Sequence, residues 1–309
     1  MVSHCCNIRF DLRWRATCSM VERIGGHGGN MKDRVQMFER KDHGGFTERY
    51  GSWALIAGAS EGIGAAFAQA LAGRGMNLVL VARREVLLDR LAEDLHARYG
   101  AESRCIAGDL GDPGFLEKLG SSMNKIEPGM LVYNAAYSPI GDFAGMAAPD
   151  LMRVVDVNVR GPLTLLNMVL PFMSRRRKGG IVLMSSLAGN QGTPRIAAYA
   201  ASKSFNRVLA EGLWYELKEQ GIDIIACFAG AVRTPGYVDA AHKDAPGTLD
   251  PGILVEKTLA ALGHGPLVVP GVVNQMAYWI MGRLLPRTTA IRIMAGSTKD
   301  LVASSKADH

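Results

Sequence analysis

Short apolar runs, set off by glycine-rich turns, alternate with longer stretches of helical spacing through most of this 309-residue chain. The first run, Ser52 to Ala57, is bounded by glycines and reads as a buried strand. Further strands are predicted near 77–82, 102–107, 129–134, 180–185, 222–228 and 266–269. In 197–220, Val208, Leu209, Leu213, Trp214 and Leu217 recur at helical spacing, and Gly221 supplies a stop. A second long helix is predicted over about 149–174. Strands alternating with helices imply parallel strands, right-handed crossovers and helices on both faces. The expected fold is α/β: a doubly wound parallel sheet in a three-layer αβα sandwich, one domain over 51–271.

The two ends break this rhythm. Residues 1–50 are rich in Gly, Arg, His and Met, carry nine Lys/Arg against six Asp/Glu, and show little periodicity. They are expected to form a disordered N-terminal extension, with neither the apolar core of a secretory signal nor the acid-poor character of a transit peptide. The tail, 272–309, is expected to be helical and holds Met276, Tyr278, Trp279, Ile280, Met281, Leu284, Leu285 and Ile291 among Arg283, Arg287 and Arg292. Basic and aromatic residues on an apolar helix suit a membrane surface. The favoured expectation is instead that this face covers a substrate cleft or a neighbouring subunit.

Composition adds boundaries. A 48% hydrophobic content allows a full core, and no apolar run reaches the roughly 18 residues of a membrane span. The net charge of +6 is scattered, and its one basic run, Arg175-Arg-Arg-Lys178, sits at a predicted helix end where cations complement the dipole. No nucleic-acid partner is expected. Cys105 and Cys227 fall in predicted strands, while Cys5, Cys6 and Cys18 lack zinc spacing, so no metal site is expected. A reducing, cytoplasmic setting follows as the default.

Candidate chemistry centres on Tyr199-Ala-Ala-Ser-Lys203, with Ser186 thirteen residues upstream. Tyr199 and Lys203 share a helical face at i, i+4, and a cation there is expected to move the phenol from about 10 toward neutrality. Such a group exchanges a proton with an alcohol or carbonyl oxygen while hydride moves at carbon. Earlier in the chain, the first strand runs into Gly58-Ala-Ser-Glu-Gly62-Ile63-Gly64 and then a helical pattern. Strand, glycine turn and helix form a cradle for a dinucleotide pyrophosphate. Ala82 ends the second strand where an acidic side chain would accept from ribose hydroxyls, and Arg83 follows with a permanently charged fork. With Ser60 in the turn, this favours NADP(H), with NAD(H) as the alternative.

Taken together, these motifs resemble those of the classical short-chain dehydrogenase/reductase family. Ala57 to Gly64 looks like T-G-x-x-x-G-x-G, Asn134-Ala135-Ala136 like N-A-G, and Asn158-Val-Arg-Gly161 like N-x-x-G. Ser186, Tyr199 and Lys203 match the catalytic serine, tyrosine and lysine. The resemblance covers about 51–270 and implies a Rossmann-type domain. It makes Asn158 the holder of a relay water and Lys203 a partner of the nicotinamide ribose. Asp109 and Leu110 would border the adenine, and the Gly230–Thr234 segment, with Val232 and Thr234, would meet the nicotinamide end. Ala57, Tyr133, Ala136 and Ala229 depart from the pattern without touching an acid-base group. The implied activity is NAD(P)(H)-dependent hydride transfer to or from a carbonyl or secondary alcohol. Loop 187–196 and Pro235 to Gly252, with Leu187, Ile196, Tyr237 and Val238, suggest an apolar ketone, fatty-acyl or steroid-like substrate. A homodimer or homotetramer through helices 149–174 and 197–220 is expected. The alternative is a cofactor-binding sensor or scaffold with little turnover.

Overall fold

The computed structural model describes residues 43–240 and 244–298. Its centre is a seven-stranded sheet in the order β3-β2-β1-β4-β5-β6-β7. The strands are β1 Trp53–Ala57, β2 Asn77–Ala82, β3 Ser103–Ala107, β4 Met130–Tyr133, β5 Gly179–Ser186, β6 Ile222–Ala229 and β7 Leu267–Val268. Every recorded pairing is parallel, with Ala57 beside Val81 on one edge of β1 and beside Tyr133 on the other. All seven predicted runs are strands, which bears out the doubly wound sheet.

Alternation along each strand sorts the core into two faces. Ala54 and Ile56 of β1, with Leu78 and Leu80 of β2, face a cluster that includes Phe67, Leu71, Leu88 and Leu95. Leu55, Ala57, Val79 and Val81 face the other side, against Leu119, Leu165, Val169 and Ala210. The first side is covered by α2 (Gly62–Ala72), α3 (Glu85–Tyr99) and α9 (Pro251–Ala261). The second is covered by α4 (Pro113–Met123), α6 (Gly161–Arg176) and α7 (Ala197–Leu217). Continuously buried strands between two helical layers explain why the runs read as apolar rather than alternating.

Two features were not anticipated. The predicted helix at about 149–174 is α5 (Ala148–Val155) and α6 joined by a π turn, Asp156–Arg160. Asn158 lies inside that turn. The disordered extension expected over 1–50 also needs correction, because its last residues form a helix, α1 (His43–Tyr50). Tyr50 is buried, stacks edge-on against Phe46 and donates to Asp223 at 3.0 Å. Arg49 pairs with the same carboxylate at 2.6 Å. A helix this short has too few turns to show a period, and these distant partners hold it. Cys5, Cys6 and Cys18 lie outside the described residues.

The described residues end with α10 (Val272–Trp279), a π turn Ile280–Leu284 and α11 (Arg287–Ser297), following the short α8 (Pro235–Ala240) and α9. No described helix is long and apolar enough to cross a membrane.

Candidate active site

Strand order reverses where β1 lies between β2 and β4, and in open parallel sheets ligands bind beyond the carboxyl ends of the strands at such a point. A cleft of about 340 Å³ opens there. Gly58, Ser60, Gly62 and Ile63 line it from the turn after β1, and Arg83 and Arg84 from the end of β2. Asp109, Leu110, Asn134 and Thr234, also predicted, stand along its walls. Of the remaining predicted cofactor residues, Gly64 lies within α2, and Val232 is buried and bridged to Leu249.

The glycines leave room for a ligand by letting backbone approach backbone. Gly58 has φ 82°, and a Cβ on Gly64 would stand 1.9 Å from the Gly58 carbonyl oxygen. Asn134 pins the turn, its Nδ2 donating to the Gly58 carbonyl at 2.9 Å. The first turn of α2 therefore opens into the cleft with its backbone N–H groups, the geometry a pyrophosphate needs.

Charge at the rim is arranged in two groups. Arg84 donates to Ser60 Oγ at 3.1 Å and pairs with Glu61 at 2.6 Å. Arg83 is exposed and makes no recorded hydrogen bond or salt bridge among the described residues, though its charge helps stabilise the Asp109 carboxylate. Arg84 was not singled out from the sequence, because adjacent residues at a strand end give no sign of which one turns back over the glycine loop. The second group is Asp109, which accepts from the Gly111 N–H at 2.9 Å and from Arg153 at 2.6 Å. Burial would raise its pKa, but these partners outweigh it and hold the carboxyl below its usual range. Arg153 also lies over the Tyr137 ring at 5.3 Å, and Tyr137 donates to Asp150 at 2.7 Å. Arg153 and Tyr137 are thus cleft residues that sequence reasoning missed.

The structure brings Ser186, Tyr199 and Lys203 together, and Asn158 bonds Ser202 on the helix that carries the last two. Ser186 ends β5, its hydroxyl accepting from the Ala188 N–H at 3.2 Å and lying near enough to Tyr199 to favour the phenolate. Lys203, one turn along α7, is buried with Nζ 5.4 Å from the Tyr199 ring centroid, donating to the Met184 carbonyl at 3.0 Å. Burial pushes the Tyr199 phenol up, opposed by the Ser186 hydrogen bond. The same burial pushes Lys203 down to about 8. The expected draw of Lys203 on the phenol is therefore not seen here, because the ammonium lies over the ring face and is itself desolvated.

Asn158 is fully buried, and both ends of its side chain are engaged. Nδ2 donates to the Tyr137 carbonyl at 2.9 Å and to Ser202 Oγ at 3.0 Å, while Oδ1 accepts from the Tyr137 N–H at 2.8 Å. The departure at Tyr133 has a physical role in the same place. Its buried hydroxyl crosses to the Val157 carbonyl, tying β4 to the π turn. Gly161 makes the approach possible, since a Cβ there would sit 2.1 Å from that hydroxyl.

The pattern of the short chain dehydrogenase family matches residues 52–244. The chain belongs to the short-chain dehydrogenase family. Among its relatives, a 7beta-hydroxysteroid dehydrogenase of Clostridium sardiniense is 32% identical over 62% of this chain and 74% of that protein. A very-long-chain 3-oxoacyl-CoA reductase of Neurospora crassa is 38% identical over 56% of this chain and about half, 54%, of its own length. A human relative, 34% identical over 57% of this chain and 54% of its own, is named an inactive hydroxysteroid dehydrogenase-like protein. Among solved structures, a 7beta-hydroxysteroid dehydrogenase superimposes with TM-score 0.76 at 26% identity, over 80% of this chain and 98% of that one. A short-chain dehydrogenase from Sphingobium yanoikuyae in complex with NADPH gives TM-score 0.64 at 31% identity, over 71% and 86%.

Proposed function

We propose that this chain is an NADP(H)-preferring oxidoreductase that interconverts a ketone and a secondary alcohol on a bulky apolar substrate of steroid-like or fatty-acyl type. The observation that carries the reading is the joining of Ser186, Tyr199 and Lys203 at the carboxyl ends of the strands, beside a glycine cradle. Gly58, Gly62, Ile63 and the first turn of α2 would hold the pyrophosphate, Asp109 and Leu110 would border the adenine, and Val232 and Thr234 the nicotinamide end. When bound, the nicotinamide supplies or accepts the hydride. Ser186 would hold the substrate oxygen, Tyr199 would give or take its proton, and Lys203 would reach the ribose. Asn158 and Tyr133 act through position, fixing the π turn and the 137 loop around the catalytic helix.

Preference for NADP(H) is supported by Ala82, which offers a 2′-phosphate no negative neighbour, and by Arg83 and Arg84 at the cleft wall. The relative solved with NADPH agrees with it. The apolar substrate class is supported by the hydroxysteroid and oxoacyl relatives. Self-association is supported by Met152, Val155, Leu163 and Val208, apolar residues left exposed on α5, α6 and α7.

The test is a panel of steroid ketones, 3-oxoacyl thioesters and their alcohols, followed by nicotinamide absorbance with each cofactor. Turnover with at least one apolar carbonyl, faster with NADPH, is the expected result. Cofactor binding without turnover across the panel would favour the sensor reading, which the human relative's name also raises. Against that reading, no acid-base residue is lost here.

A further inference from the structure

Helix α10 is amphipathic in the inverted sense. Its one buried residue is polar: Asn274, whose Nδ2 donates to the Gly247 and Pro270 carbonyls, each at 3.0 Å. Tyr278 shares that inner side, its ring edge-on to Phe228 at 5.2 Å and its carbonyl accepting from Asn190. The outer side carries Val272, Val273, Met276, Trp279, Ile280 and Leu284, which are 37–70% exposed. At 3.6 residues per turn the four on the helix itself, Val272, Val273, Met276 and Trp279, fall within an arc of roughly 120°, and the π turn adds exposed Ile280, Arg283 and Leu284. The inner contacts fix the helix rotation, so the apolar stripe cannot turn inward without breaking them. A stripe of this size held in water implies a partner.

Charge identifies the partner. From Lys257 to Thr298 the chain carries no Asp or Glu, and its charged residues there are Lys257, Arg283, Arg287 and Arg292. Among the described residues, none of these three arginines pairs with a carboxylate. Trp279 and Met276 beside Arg283, which has no recorded carboxylate partner among the described residues and can extend its head past the apolar band, match the boundary of an anionic bilayer. We infer that the outer face of α10 and the following π turn docks on an anionic lipid surface.

The face is tied to the substrate side of the molecule. Arg287 donates to the Asn190 carbonyl at 3.1 Å, Arg195 to the Ala295 carbonyl at 3.2 Å, and Thr298 to the Pro194 carbonyl at 3.2 Å. Loop 187–196, which leads from Ser186 to the catalytic helix, is thereby strapped to the docked segment. If the apolar-substrate reading holds, a lipid-dissolved substrate would reach the cleft from the bilayer. The docking claim itself does not rest on that reading.

The experiment is sedimentation of the full chain with vesicles of phosphatidylcholine alone and with about one-third phosphatidylserine. Light scattering without lipid runs in parallel. Binding to the anionic vesicles is expected, with Met276→Ser/Trp279→Ser losing about tenfold or more in partitioning and Arg283→Glu about fivefold. All three residues are exposed, so melting temperatures should stay at wild type. No sedimentation with either vesicle would overturn the inference, as would equal binding to both lipids or unchanged binding in the variants. A double variant whose mass falls in lipid-free solution would also overturn it, by assigning the face to a second copy.

Discussion

Replacing Lys203 with methionine should make the protein more stable and catalytically dead. The lysine is buried, and its ammonium has one recorded hydrogen bond, to the Met184 carbonyl at 3.0 Å. Burial lowers its pKa from an ordinary 10.5 to about 8, so keeping it charged in the fold costs about 3 kcal/mol. Methionine keeps the stem packing without the charge. The Met184 carbonyl keeps a partner in Asn206 Nδ2 at 3.3 Å, which limits the loss to about 1 kcal/mol. The net expectation is a gain of about 2 kcal/mol at pH 7. Below pH 8 both folded and unfolded wild-type chains hold the proton, and the penalty is fully present. Between about 8 and 10.5 the unfolded chain binds a proton that the folded chain has shed, so wild-type stability rises with pH. From pH 7 to 9.5 wild type should therefore regain about 2 kcal/mol relative to Lys203→Met. Urea unfolding of both proteins at the two pH values gives the difference directly, since other titrating groups cancel. Parallel pH dependences, or a less stable variant at pH 7, would refute the reasoning.

Three other outcomes follow from the site. Tyr133→Phe leaves the Val157 carbonyl without its buried partner, and should cost about 1–2 kcal/mol in urea unfolding while lowering kcat more than it raises KM. In Ala82→Asp/Arg83→Ala, cofactor titration should show affinity swinging from NADP(H) toward NAD(H) by about ten- to a hundredfold, and no swing would remove Arg83 as the reader of the phosphate. If Arg84 shares that role, Arg84→Ala should weaken NADP(H) and leave NAD(H) nearly unchanged, which isothermal titration separates.

Much of this was legible because parallel strands buried on both faces leave long apolar runs, and because glycine turns and Tyr-Lys spacing are local. Ser186, Tyr199 and Lys203 could be placed together once β5 and α7 were seen as neighbours. What escaped depends on geometry that spacing does not encode. A π turn differs from an α turn by one hydrogen-bond register, so Asn158 looked like an ordinary helical residue. The tie from Tyr133 to Val157 joins β4 to that turn across 24 positions. In the tail, composition announced an apolar helix, but only the burial of Asn274 revealed which side faced out. Helix α1 escaped because its order comes from Asp223, far along the chain.

The central claim is that Tyr199 moves the proton while hydride passes at the substrate carbon, and single-turnover kinetics of Tyr199→Phe with NADPH and an active ketone test it most directly. The ring still packs, and only the hydroxyl with its exchangeable proton is lost. The account predicts unchanged melting temperature, cofactor affinity within about twofold of wild type, and hydride transfer slowed by at least about 10²–10⁴. Wild-type rates in this variant would contradict it.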